Sequence, residues 1–159
     1  MQGSRWQWGG RPVIPMIAVP GDAPMADEQW VYEPKYQGRR ALVAVEPGVG
    51  RHGVRIWSVR GRDEAARYPD IVRALATLAL RLKAAVILDG IIVAVAHGSA
   101  FVAFDVVRDG DEDLRPWPLT TRRAHLENIL ANVGAGSTVR RLRPWRWARS
   151  RPQGRDGRT

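Results

Sequence analysis

Two short alternating runs lie on either side of a glycine-rich loop, and this restricts the fold more than any other feature. Residues 40–46 form one run and residues 54–58 the other. Pro47-Gly48-Val49-Gly50-Arg51-His52-Gly53 lies between them. Alternation with a period of two marks half-buried strands, and a loop of this kind joins antiparallel neighbours. A β-rich run, Trp30-Val31-Tyr32, enters the first strand through Glu33-Pro34-Lys35-Tyr36-Gln37-Gly38-Arg39-Arg40, which Pro34 and Gly38 punctuate. Lys35 is thus held near a tight turn between strands. It is one of two lysines among 25 basic residues, the other being Lys83. Arginine stays protonated, whereas a lysine can become a reactive amine. Lys35 is therefore a candidate nucleophile, and the plainer alternative is a solvated lysine at a strand end.

The rest of the chain predicts a mixed fold. Residues 1–10 are polar and glycine-rich and are expected to be disordered. Residues 11–26 are apolar and punctuated by proline, which predicts an extended segment lying over a core. Tyr68-Pro69-Asp70 starts a helix whose buried stripe is Ile71, Leu75, Leu78 and Leu82. Residues 85–95 read as two buried strand pieces, or as one strand bulged at Gly90. His97-Gly98-Ser99 turns into a strand over 100–107. A polar loop over 108–118 holds Asp109, Asp111, Glu112 and Asp113 without an EF-hand frame, and His52 has no second histidine near it, so no metal ligand is predicted. Thr120 or Thr121 is expected to cap a second helix that buries Leu126, Ile129, Leu130 and Val133. Gly134-Ala135-Gly136-Ser137 breaks it.

Apolar residues make up 45% of the 159, enough for one domain with a core, expected over 11–142. There is no cysteine and no apolar run of membrane-spanning length, which fits a cytoplasmic protein with no membrane partner. The net charge is +9, but Arg140 to Thr159 holds eight arginines and one aspartate, +7 of that total. The remainder is near +2, so the basic character belongs to the tail. Residues 143–159 have no apolar period and are expected to be disordered. Their arginines, with Trp145 and Trp147, suit non-specific contact with nucleic acid.

Lys35-Tyr36-Gln37-Gly38-Arg39-Arg40 resembles the K-x-D-G-x-R nucleophile motif of the ATP-dependent DNA ligases and related covalent nucleotidyltransferases. Further matches follow in order. Trp57-Ser58-Val59-Arg60-Gly61 resembles the family's Ser-Arg-Asn-Gly stretch. Leu88-Asp89-Gly90-Ile91-Ile92-Val93 resembles its Leu-Asp-Gly-Glu-Ile-Val strand. Residues 101–107, Phe-Val-Ala-Phe-Asp-Val-Val, resemble the strand that carries an adenine-stacking aromatic. Residues 118–123 resemble its Pro-Leu-x-x-Arg-Arg segment, and the likeness runs from about Pro12 to Val139. The resemblance implies an α+β fold: a partial DNA ligase adenylation domain, related to ATP-grasp, with twisted antiparallel sheets and flanking helices. It also implies DNA nick sealing in repair and recombination through a lysyl-AMP intermediate, with ATP and Mg²⁺ as cofactors and nicked DNA as partner. By the same resemblance Lys35 is the catalytic lysine, Glu33 contacts the adenine amino group, Arg40 binds the nucleotide and Phe104 stacks on its base.

Several of the family's residues are replaced. Gln37 stands for the motif aspartate, Ile91 for the glutamate after Asp-Gly, and Val59 for an arginine, with Arg60 in place of the asparagine. Glutamine keeps a hydrogen bond but no charge; isoleucine keeps neither. No match to the later Glu-Gly-x-x-x-Lys strand, to the terminal lysine pair or to the closing oligonucleotide-binding domain follows Val107. The expectation is an impaired copy that holds ATP and Mg²⁺ poorly. Two alternatives stay open: a non-enzymatic ligase remnant, and a nucleic-acid-binding protein acting through its basic tail.

Overall fold

The computed structural model describes residues 7–8, 11–13, 15, 19–21, 33–131, 133 and 137–142. Its elements run β1 (Gln7–Trp8), β2 (Arg11–Pro12), β3 (Arg39–Val45), β4 (Val54–Ser58), α1 (Pro69–Ala79), β5 (Val86–Val95), β6 (Gly98–Asp109), β7 (Glu112–Asp113), α2 (Leu119–Ile129) and β8 (Val139–Arg141). β1 and β2 pair with each other. The other six strands make one sheet in the order β4-β3-β5-β6-β7, with β8 added parallel to β6. The architecture is α+β, as expected, with one mixed sheet as its centre. Residues 30–32 and the tail 143–159 lie outside the described residues, as do residues 1–6 and 9–10 of the expected disordered N-terminus. Among the described residues no helix is long and apolar enough to cross a membrane.

The alternating runs pair as read. β3 and β4 run antiparallel with Ala41 opposite Ser58 and Val45 opposite Val54. The loop between them closes through a short 3-10 turn, Gly50–Gly53. Alternation divides the sheet into two unlike faces. Val43, Val45, Ile56, Leu88, Phe101 and Ala103 point to one face, where α1 and α2 cover them. α1 lays Ile71, Leu75 and Leu78 on that face, and half-buried Leu82 follows the helix end. Burying each such side chain contributes about 1.5–3 kcal/mol before entropy. Leu42, Ala44, Trp57, Ile87 and Val107 form a smaller apolar cluster on the second face, where Val13 of the proline-rich segment covers them.

Three features depart from the sequence reading. The second helix is not capped by a threonine. Pro118 is its N-cap, extended at φ −55° and ψ 144°, with no side-chain cap bond. The Pro118 carbonyl accepts from the N–H groups of Thr121 (3.0 Å) and Arg122 (3.1 Å), so the helix starts at Leu119 and both threonines fall in its first turn. β8 is a short parallel strand that no alternation announced. β6 is longer than 100–107 and carries two irregularities against β5. Gly90 faces Ala103 while Asp89 faces Asp105, which leaves Phe104 as an extra residue. Leu88 faces Val106 while Ile87 faces Arg108, which leaves Val107 as a second.

Candidate active site

A cavity of about 750 Å³ opens on the second face of the sheet, beside the smaller apolar cluster. That volume suits a nucleotide-sized ligand. The segment Glu33–Gln37 is irregular and exposed, and a bend at Gly38 leads it into β3. A Cβ at Gly38 would stand 2.3 Å from the Ile92 carbonyl oxygen and 2.9 Å from Ile91 Cγ1. Only glycine lets the lysine segment lie this close to β5. Glu33, Lys35, Tyr36 and Gly38 all line the cavity.

The sheet supplies the floor. Arg40 lies opposite Ile91 in the β3–β5 ladder and reaches diagonally to Asp89. Its Nε donates to Asp89 Oδ1 and its Nη2 to Oδ2, each at 2.7 Å. The Arg40 guanidinium also lies over the Phe104 ring, 4.6 Å from the centroid, within cation–π range. Burial pushes the Asp89 carboxyl above its ordinary value, against the opposing effect of Arg40. The β6 irregularity brings Phe104 and Asp105, which are neighbours in sequence, to the same cavity wall. Bulges re-aim side chains in this way. Beneath them, Gly90 leaves room for Phe101, whose ring would meet a Cβ at 2.5 Å.

α2 supplies the far wall. Arg122, nearly fully buried, donates from Nη2 to Asp105 Oδ2 at 2.8 Å, from Nε to Oδ1 at 2.9 Å and from Nη1 to the Trp117 carbonyl at 2.5 Å. The hydrogen bond to Asp105 raises its pKa. Arg123 pairs with Glu33 and donates to the Leu142 carbonyl at 3.4 Å. One arginine thereby joins α2 to the lysine segment and to the end of β8. Burial lowers its pKa. At the rim, Arg115 grips Asp113 with bonds of 2.8 and 2.5 Å, holding that carboxyl down at about 2.

Four residues singled out by sequence, Glu33, Lys35, Arg40 and Phe104, therefore line one cavity, and Ile91 lines it too. Gln37 and Val59 are not among its lining residues; both are exposed, and Val59 sits in the turn after β4. Sequence reasoning missed five charged lining residues: Asp89, Asp105, Arg115, Arg122 and Arg123. Asp89 had been matched to the Leu-Asp-Gly-Glu-Ile-Val strand without a role of its own, and a strict alternation gave Asp105 no reason to share a wall with Phe104. Among the described residues no group of three carboxylate or histidine side chains is placed to hold a metal.

The α+β architecture matches part of a nucleotidyltransferase-like ligase domain. More specifically, in sequence and in fold the chain is a relative of the adenylation domain of ATP-dependent DNA ligases. It is 29% identical over 149 residues to the multifunctional non-homologous end joining protein LigD of Pseudomonas aeruginosa, a match that covers 79% of this chain and 17% of that protein. It superposes on the ligase domain of M. tuberculosis LigD with a TM-score of 0.66 at 28% identity, covering 82% of this chain and 45% of that one. A mycobacterial DNA ligase D complexed with ATP and MES gives the same score and identity, with 46% of that chain covered. The chain thus spans less than half the length of each of these relatives. No protein-family model matches it.

Proposed function

We propose that residues 11–142 form the nucleotide-binding part of an ATP-dependent DNA ligase-like adenylation domain, with ATP in the cavity and Lys35 as the residue that takes AMP. The observation that carries this is that Phe104, from β6, lines the same cavity as Glu33, Lys35 and Arg40 of the lysine segment. In the reaction the uncharged Lys35 Nζ attacks the α-phosphorus. The N–P bond forms as the P–O bond to pyrophosphate breaks, and the amine proton passes to solvent. Phe104 offers the base a ring, and Glu33 offers its amino group an acceptor. Nicked DNA and a cytoplasmic location go with this reading.

Mg²⁺ fits the site poorly. The carboxylates that line the cavity, Glu33, Asp89 and Asp105, are each engaged by an arginine, and Ile91 carries no ligand atom. The copy is accordingly read as impaired. The test is incubation of the purified chain with α-labelled ATP and Mg²⁺, followed by a denaturing gel. Label retained by the native chain and lost in Lys35→Ala supports the assignment. Label persisting in Lys35→Ala, or a native chain that binds no ATP, refutes it.

A second reading concerns the tail 143–159, whose composition favours it: six arginines with Trp145 and Trp147 among seventeen residues. Arginines neutralise phosphates and tryptophans stack on bases without sequence preference. Deleting 143–159 should remove most of the affinity for single-stranded DNA and flatten its salt dependence. Unchanged binding would move the nucleic-acid site to the folded body.

A further inference from the structure

Charge matching within the cavity separates two cations from the rest. Among the described residues that line it, five are cationic and three are carboxylates. Arg40 takes Asp89, Arg122 takes Asp105 and Arg123 takes Glu33. Asp89, Asp105 and Arg122 are 9% exposed or less and Arg40 near 30%, so the first two pairs are largely buried; in the third Arg123 is 12% exposed and Glu33 near 30%. Lys35 and Arg115 are left over. Lys35 is exposed, and Arg115 is 40% exposed. Asp113, the partner of Arg115, is not among the lining residues and is itself one-third exposed.

We infer that Arg115 is a phosphate-binding residue of this site, which leaves Asp113 to contact the polyphosphate of a bound nucleoside triphosphate. Three physical points carry the inference. The balance of lining charge favours an anion with more than one negative charge. The Arg115–Asp113 pair is solvent-exposed, so exchanging the carboxylate for a phosphate strands no buried charge, whereas opening the buried pairs would. The guanidinium fork matches phosphate oxygens as well as it matches the carboxylate it now holds. Arg115 would then supply, from the β7–α2 connection, part of the cationic grip that the triphosphate needs.

This rests on the nucleotide reading of the cavity, and the test separates the two. Affinities of the full chain for ATP, AMP and adenosine are measured for the native protein, Arg115→Gln, Arg115→Lys and Asp113→Asn, with thermal midpoints as a check on folding. Arg115→Gln should weaken ATP by about tenfold or more, the loss of a charge-assisted bond, and leave adenosine unchanged. Arg115→Lys should recover part of the loss. Asp113→Asn should raise the preference for ATP over adenosine by removing the competitor. Equal weakening of ATP and adenosine in Arg115→Gln marks a structural role and overturns the inference, as does no weakening of either. A native chain that binds none of the three ligands removes the nucleotide reading itself, and this inference with it.

Discussion

Asp89 and Asp113 respond to acid in opposite directions, because one is buried and the other is clasped at the surface. The hydrogen bond from Arg115 lowers Asp113 from 3.8 to about 2. A carboxylate with a lowered folded pKa stabilises the fold above its unfolded value, and that contribution is lost as pH falls through the folded value. Burial raises Asp89 despite Arg40, so the sign reverses. Its contribution is complete below 3.8 and is lost as pH rises through the raised value. Urea unfolding at stepped pH checks both. The margin of the native chain over Asp113→Asn should shrink as pH falls from about 4 to 2, and it should be small throughout because the pair is exposed. The margin over Asp89→Asn should shrink as pH rises from about 4. A margin over Asp89→Asn that grows with pH would show that Arg40 outweighs burial there.

At the scale of elements, the docking of α2 depends on a pair that the sequence did not reveal. Arg122 and Asp105 are 5% and 6% exposed, and each is a poor tenant of that environment alone. Arg122→Met or Asp105→Leu should each cost roughly 3–5 kcal/mol, since each leaves an unpaired charge beside the cavity, while the double variant should recover most of the loss. A double-mutant cycle by urea unfolding measures this; simple additivity would sink the idea. What was legible followed from regular periods. The β3–β4 hairpin and α1 with Ile71, Leu75 and Leu78 obey local rules of alternation or helical spacing; the strand over 86–95 was legible too, but the bulge expected at its Gly90 lies instead on β6. What was not legible came from tertiary structure. β8 is only three residues long, and β6 across the sheet selects it as a parallel partner. The extra residues Phe104 and Val107 in β6 break the period of two. A single sequence does not show where a ladder slips, so Asp105 could not be placed beside Phe104. The site motif around Lys35 was legible as a pattern of residue types. Its electrostatic frame, three arginines on three carboxylates, was not, because the partners lie 17 to 90 residues apart.

For the molecule as a whole, the expectation is that the chain as it stands does not seal nicks. Gln37 is exposed and is not among the cavity-lining residues, so the place of the motif aspartate contributes no carboxylate there. Ile91 faces the cavity and lies opposite Arg40, whose guanidinium is committed to Asp89 and to the face of Phe104. The remaining carboxylates are neutralised by arginines. A metal–triphosphate would be held loosely, and misplacing reacting atoms by about an ångström alone costs on the order of a hundredfold. Water in an open cavity weakens each contact further. Ile91→Glu should be tolerated by the fold, because the side chain is half-buried at the cavity wall and not packed in the helix-covered core. Combined with Gln37→Asp, it should at most restore weak adenylation of Lys35, not ligation. The two assays read different steps: label retained on the protein reports adenylation, and conversion of a nicked duplex to a continuous strand reports sealing. Gain of label without sealing in the double variant is the expected result. Sealing by the unmodified chain with ATP and Mg²⁺ would show that these lost carboxylates are dispensable and that the cavity works by another arrangement.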